Sequence, residues 1–323
     1  MRANRRVVLT GASGFLGSNL LLALIRAGCD VTAISRHPQQ TERLIRMAHP
    51  GSARVYSADV RDAEAVRSII AEAAAEVVIH CAAATPVGAT AERAAFGESV
   101  DINIGGTVSV LEAVGASAAS VIVYVSSGVV YGDRRSRRPL RETDRVDPNT
   151  VYAITKRSAE LLCLRHADLH GRSARVLRVS APFGPWELPT SSRPTASPIH
   201  RWCVSALEGR PVREETNGAR DFTYVDDTSA ATVMLALAPA TRHTIYNIAC
   251  GRLHRYSDVL ASLASVVPGL DYEVGPELAR GDAATPMRGP LSVSRLQREF
   301  RWRPKISIEE GLRHYLLWLA ENR

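Results

Sequence analysis

An α/β fold built on a doubly wound parallel sheet is predicted by three observations. Short β-branched runs alternate with longer helix-like stretches through the first half of the chain. A glycine-punctuated turn joins the first run to the first helix. Near residue 180 the texture changes to proline-rich loops and short mixed elements, which marks a smaller lobe.

The elements follow in order. Val7-Val8-Leu9 reads as the first strand, and Gly14 opens a helical stretch to about Ala27. Strands are predicted over Val31 to Ser35, Val55 to Ser57, Val77 to His80 and Val121 to Ser126, with a helical candidate between each pair. Helices fit residues 100–117 and 151–170, the second bearing Leu161, Leu162 and Leu164 on one side, and Arg175 to Val179 reads as another strand. Pro182, Pro185, Pro189, Pro194 and Pro198 then make a loop-rich stretch, after which Ile245 to Ile248 reads as a buried strand able to rejoin the first sheet. Leu312, Tyr315, Leu316 and Leu319 form the core stripe of a terminal helix. Residues 1–180 are therefore expected to form a dinucleotide-binding domain of Rossmann type, with a returning segment near 221–250. Residues 181–323 are expected to be mainly a mixed, substrate-binding lobe.

Composition narrows the class. With 323 residues, 46% hydrophobic and 23% charged, the chain has the balance of an ordinary globular protein, which excludes long disorder and fibrous repeats. No apolar run approaches the roughly 20 residues of a membrane span. The start, Met1-Arg2-Ala3-Asn4-Arg5-Arg6, is basic, but a glycine motif follows where a signal peptide would place its apolar core. Cys29, Cys81, Cys163, Cys203 and Cys250 are odd in number and never paired as Cys-x-x-Cys, so neither a disulfide framework nor a metal site is expected. A reducing cytoplasm fits. The net charge of +7 is spread along the chain and almost wholly arginine, Lys156 and Lys305 being the only lysines, so nucleic acid is not expected as a partner. The dense cluster Arg134, Arg135, Arg137 and Arg138 lies among acids and reads as a solvated loop.

Thr10-Gly11-Ala12-Ser13-Gly14-Phe15-Leu16-Gly17 stands between strand and helix, where a dinucleotide pyrophosphate would sit on the helix N-terminus. The second strand should end in Asp or Glu if the cofactor is NAD, since a carboxylate accepts from the ribose 2′-hydroxyl. Here Ser35-Arg36-His37 stands instead, and Arg36 and Ser35 suit a 2′-phosphate, which predicts a preference for NADP(H) with NAD(H) possible. Ser126-Ser127 closes the strand from Val121, and Tyr152 and Lys156 share a helix face one turn apart. A phenol beside an ammonium can do proton chemistry near neutral pH.

On these residues the chain resembles the extended short-chain dehydrogenase/reductases of the NAD-dependent epimerase/dehydratase family, many of which act on nucleotide sugars. The resemblance also takes in Asp59-Val60, His80-Cys81-Ala82-Ala83, Asn103 with Gly106-Thr107, Tyr131-Gly132, Arg178 with Gly184-Pro185, Arg220 to Asp227, and Trp302-Arg303-Pro304. It implies that Tyr152 is the acid/base, that Lys156 holds the nicotinamide ribose and depresses the tyrosine pKa, and that Ser127 bonds the reacting oxygen. It implies cofactor contacts at Gly11, Ser13, Gly14, Phe15, Leu16, Gly17, Asp59, Val60, Cys81, Ala82, Ala83 and Asn103. Arg220 matches the arginine that holds the substrate diphosphate; Arg280 and Arg288 are candidates for a second phosphate contact, and Thr85 joins the substrate-binding candidates. The resemblance further implies a homodimer through the helices over 100–117 and 151–170.

Departures narrow the reaction. Dehydratases of the family carry Asp-Glu just after the catalytic Ser/Thr; Gly128-Val129 here leaves no acid and base to eliminate water. Ala181 replaces an Asn common in nucleotide-sugar members. Arg36 without a carboxylate favours net reduction, so the leading expectation is an NADPH-dependent ketoreductase of a nucleotide-diphosphate 4-keto-6-deoxyhexose. The alternatives are an NAD-dependent nucleotide-diphosphate hexose 4-epimerase and an NADPH carbonyl reductase of a non-sugar substrate.

Overall fold

The computed structural model describes residues 5–48, 53–134, 136, 138–190, 193, 195–277 and 288–322. Arg135, Arg137, Pro194 and Arg280, named above, lie outside these.

Seven parallel strands form the central sheet: β1 (Arg6–Thr10), β2 (Asp30–Ser35), β3 (Ala53–Ser57), β4 (Val77–His80), β5 (Val121–Ser127), β6 (Ser173–Val179) and β7 (Ile245–Ile248). Their order across the sheet is β7-β6-β5-β4-β1-β2-β3. Val7 lies opposite both Val31 and Val77, and β7 rejoins the sheet beside β6 with Ile248 against Val179. The inner strands are apolar on both faces because both are covered, while the edge strand β3 is only half-buried. On one face Val7, Leu9, Ile79 and Val123 pack against α1 (Phe15–Arg26). On the other, Val8, Val78, Ile122 and Tyr124 pack against α3 (Ala63–Glu72), α4 (Gly106–Gly115) and α5 (Val151–Leu169), whereas α2 (Pro38–Ala48) lies on the α1 face beside β2 and β3, with Leu44 and Ile45 in the same core as Val7.

Two helix starts follow from local chemistry. Asp62 accepts from Ala65 N at 3.0 Å to open α3, and Thr150 accepts from Ala153 N at 3.1 Å to open α5 two residues before Tyr152. The single helix expected over 100–117 is instead a helix over Phe96–Val100, a π-turn over Asp101–Gly105 and α4. The wide turn turns Asn103 inward, where its amide bonds both the N–H and the C=O of Ala84.

A second core gathers Phe183, Trp202, Phe222, Tyr224, Tyr256 and Tyr315 between α6 (Pro198–Leu207), α8 (Tyr256–Val266) and α9 (Ile308–Glu321). The apolar stripe of α9 is buried there. Trp202 and Cys203 pack in this core, and His200 bonds Tyr315 OH at 2.5 Å. The helix between, α7 (Val225–Leu237), crosses back to pack on α1 and leads into β7. Leu291, Val293, Leu296 and Trp302 also belong to the first core, so more of the C-terminal half returns to the sheet than the segment near 221–250. Of the arginine cluster, Arg138 pairs with Asp144 at 3.0 Å and Arg134 donates to Arg145 O. No helix is long and apolar enough to cross a membrane among the described residues.

Candidate active site

A cleft of about 780 Å³ opens at the carboxyl ends of the strands, where a doubly wound sheet binds its ligands, and is closed on the far side by the second lobe. Its floor is the turn from β1 to α1. Gly11 holds φ +71°, and a Cβ there would meet Ala82 Cα at 2.7 Å; a Cβ on Gly17 would fall on Gly11 O. No side chain caps α1, so its first-turn N–H groups face the cleft. Gly11, Ser13, Gly14, Phe15, Leu16 and Gly17 all line it, as do Arg36, Asp59, Val60, Cys81, Ala82 and Ala83. This cradle, empty of side chains where a pyrophosphate must approach backbone, fits a dinucleotide.

Two expected cofactor residues are elsewhere. Ser35 is buried, and its hydroxyl accepts from His37 N at 3.0 Å and Thr41 Oγ1 at 2.9 Å, which ties the turn from β2 to α2 and leaves Ser35 outside the cleft. Asn103 is likewise buried and outside the cleft lining, its amide taken up by Ala84 and Thr155 Oγ1. Arg36 does face the cleft, with Asp59 Oδ2 at 4.0 Å, although Asp59 is held more closely by Arg61 at 2.8 Å.

At the centre stand Ser127, Tyr152 and Lys156, with Thr85 alongside. The hydroxyls of Ser127 and Thr85 stand near the Tyr152 phenol and favour its ionised form. Burial pushes its phenol above the ordinary value of 10, against the opposing pull of the Arg193 guanidinium and those two hydroxyls. The Lys156 ammonium donates to Val125 O at 2.7 Å, lies 4.7 Å from the Tyr124 ring centre and 5.9 Å from that of Tyr152, near enough for its charge to reach the phenol without bonding it. Burial pulls Lys156 itself down to about 8.

Arg220 and Arg288 also face the cleft, and Arg288 Nε lies 3.5 Å from where a Cβ on Gly128 would stand. Arg220 Nε donates to Tyr256 OH at 2.9 Å. Burial and then the neighbouring Arg220 pull Arg288 down to about 10. Between them Asp221, pushed up to about 7 by burial, accepts from Gly251 N at 3.0 Å and Leu291 N at 2.9 Å and so ties three loops together. Two like charges held side by side await an anion.

Arg193 and Arg201 also line the cleft, and sequence reasoning missed both. Arg193 donates to Glu187 Oε1 at 2.6 Å and its guanidinium lies 5.1 Å from the Phe15 ring centre. Glu187 is buried and also accepts from Ser197 N and Oγ. The stretch is irregular loop, so no periodicity signalled it; a carboxylate among so many prolines, serines and threonines was the available hint. Gly128 has a packing reason: a Cβ there would meet Leu291 Cδ1 at 3.0 Å, which leaves little room for the acid a dehydratase carries.

The model of the NAD dependent epimerase/dehydratase family matches residues 7–249. The chain belongs to that family. It is thus an enzyme of the extended short-chain dehydrogenase/reductase type. A UDP-glucuronate 4-epimerase of Thermodesulfobacterium geofontis is 28% identical over 328 residues, spanning 98% of this chain and 96% of its own length. A UDP-glucose 4-epimerase of Oryza sativa subsp. japonica is 24% identical, spanning 99% of this chain and 91% of its own. Among solved structures, MoeE5 in complex with UDP-glucuronic acid and NAD superposes with a TM-score of 0.82 at 26% identity, covering 98% of this chain and 99% of that one. The UDP-glucose 4-epimerase of Thermotoga maritima shares the fold, with a TM-score of 0.84 at 23% identity, covering 98% and 99%.

Proposed function

We propose that this family member is a nucleotide-diphosphate hexose 4-epimerase that uses NAD. The observation that carries the reading is one continuous cleft lined both by Ser127, Tyr152 and Lys156 and by the paired cations Arg220 and Arg288. Proton-handling hydroxyls and paired guanidinium groups in one cleft suit a sugar joined to a diphosphate. The Thermodesulfobacterium geofontis and Oryza sativa relatives are 4-epimerases, which favours this reading over net reduction.

Tyr152 takes the proton of the sugar's 4-hydroxyl as its C–H bond breaks, and Ser127 bonds the oxygen as it becomes a carbonyl. The Gly11 to Gly17 cradle would hold NAD, whose nicotinamide would supply a reversible hydride acceptor for C4. The 4-keto sugar turns within the cleft so that its other face is presented, and Tyr152 returns the proton to the oxygen. Arg220 and Arg288 hold the diphosphate throughout, which keeps the intermediate from leaving. The balance is redox-neutral, so no soluble reductant is consumed. Gly128 beside Ser127 supplies no acid for elimination.

A second reading has its own observation. Arg36 lines the cleft, and β2 ends without a carboxylate, which suits a 2′-phosphate and net reduction by NADPH. The test is to give the purified protein UDP-glucuronate and UDP-glucose with no added cofactor. Appearance of the 4-epimer of either supports the first reading. No epimer, with NADPH consumed by a nucleotide-diphosphate 4-keto-6-deoxyhexose, replaces it with the second.

The reading extends to assembly and compartment. Val108, Ile154, Leu161, Leu162 and Leu169 are exposed on α4 and α5, and they suit a twofold pairing of these helices in a homodimer. A monomeric mass at micromolar concentration in light scattering would contradict it. All five cysteines are free thiols, which suits a reducing cytoplasm.

A further inference from the structure

Glu160 is fully buried, and no step above uses it. It lies on α5 one turn beyond Lys156 and two beyond Tyr152, on the same face of the helix. Its Oε1 accepts from Ser126 Oγ at 2.6 Å and Arg178 Nε at 3.0 Å; its Oε2 accepts from Arg178 Nη2 at 2.9 Å and Arg157 Nη1 at 2.8 Å. Ser126 directly precedes Ser127 on β5, and Arg178 sits on the neighbouring strand β6. A single carboxylate therefore joins the helix that carries Tyr152 and Lys156 to the strand that carries Ser127.

The connection runs on. Arg178 Nη1 donates to Tyr131 OH at 3.0 Å, Tyr131 OH donates to Asn247 Oδ1 at 2.9 Å, and Asn247 Nδ2 donates to Ser292 O at 3.1 Å, four residues past Arg288. A buried ion pair contributes little net stability, because desolvation offsets its attraction, and apolar residues of similar volume would serve a core as well. Its directional bonds do something apolar packing does not: they fix the register of the groups they join.

We infer that Glu160 is a positioning residue, which through Ser126 and Arg178 sets Tyr152 and Lys156 in register with Ser127. This rests on Tyr152 being the acid/base group. Two variants test it in the NAD-saturated protein. Ser126→Ala removes one link and no charge; Glu160→Gln keeps the shape and removes the ion pair. The Tyr152 phenolate is followed by near-ultraviolet titration, as the difference between each protein and its Tyr152→Phe counterpart.

In both variants the phenolate is expected at higher pH than in the parent, because the Ser127 hydroxyl that favours it is no longer held in place beside it. Removing the Glu160 anion would by itself move the titration the other way, so an upward shift in Glu160→Gln reports geometry. With UDP-glucuronate, kcat is expected to fall about tenfold or more at unchanged KM. An unmoved titration in both variants, with only a lowered melting temperature, overturns the inference. If Glu160→Gln does not fold, Ser126→Ala decides. If the parent turns over neither UDP-sugar, the 4-epimerase reading fails separately and the titration still decides.

Discussion

Acid should loosen this fold through His80. Its ring is buried at the end of β4, with Nδ1 2.7 Å from Thr10 Oγ1 on β1 and Nε2 3.1 Å from Thr107 Oγ1 on α4. Burial, and then the Lys156 charge, pull it from 6.5 down to about 3. Between those values the unfolded chain binds a proton that the folded chain refuses, so stability falls as pH drops below 6.5. The full gap corresponds to roughly 5 kcal/mol, and the part lost between pH 7 and pH 5 to about 2 kcal/mol. Other groups titrate in the same window: burial pulls His254 down to about 4, which acts in the same direction, and Asp221 at about 7 acts in the opposite one. The variant His80→Gln, which has no charge to gain, isolates the one contribution. Urea unfolding of both proteins at pH 7 and pH 5 should show the wild type losing about 2 kcal/mol more than the variant over that interval. Equal losses would refute the burial argument for His80.

Three further outcomes follow from the site. Tyr152→Phe should lower turnover by about a hundredfold or more while NAD binding is kept, as judged by equilibrium dialysis beside a rate assay. Because Lys156 titrates at about 8, kcat/KM should decline as pH rises past that value and the ammonium loses its proton; a rate that is flat to the edge of stability would contradict it. Gly17→Ala sets a methyl on Gly11 O, so it should abolish dinucleotide binding by fluorescence titration, or lower the melting temperature if the turn opens to accommodate it.

Much of this was legible in the chain. The β-branched runs marked all seven sheet strands, because the inner strands are buried on both faces and need near-continuous apolar runs; Ile245 to Ile248 carried that mark, and only the half-buried edge strand β3 shows it in shortened form. The glycine turn and the Tyr152 to Lys156 spacing are local patterns, which survive without knowledge of tertiary contacts. What escaped depends on contacts distant in sequence. Ser35 looked like a phosphate donor until Thr41 and His37 were seen to occupy it, and Asn103 looked like a cofactor ligand until the π-turn aimed it at Ala84. Arg193 enters the cleft only because buried Glu187 holds it. Glu160 stood plainly on the helix of Tyr152, but its partners Ser126 and Arg178 come from two other strands.

Redox-neutral inversion at C4 is the central claim, and one labelled substrate tests it directly. UDP-glucuronate carrying deuterium at C4 is incubated with the purified protein and no added cofactor, and the sugars are followed by NMR. The account predicts the 4-epimer with deuterium kept at C4, since the hydride removed is the one returned. A product that has lost the label, or turnover only when a reduced cofactor is supplied and consumed, would contradict it.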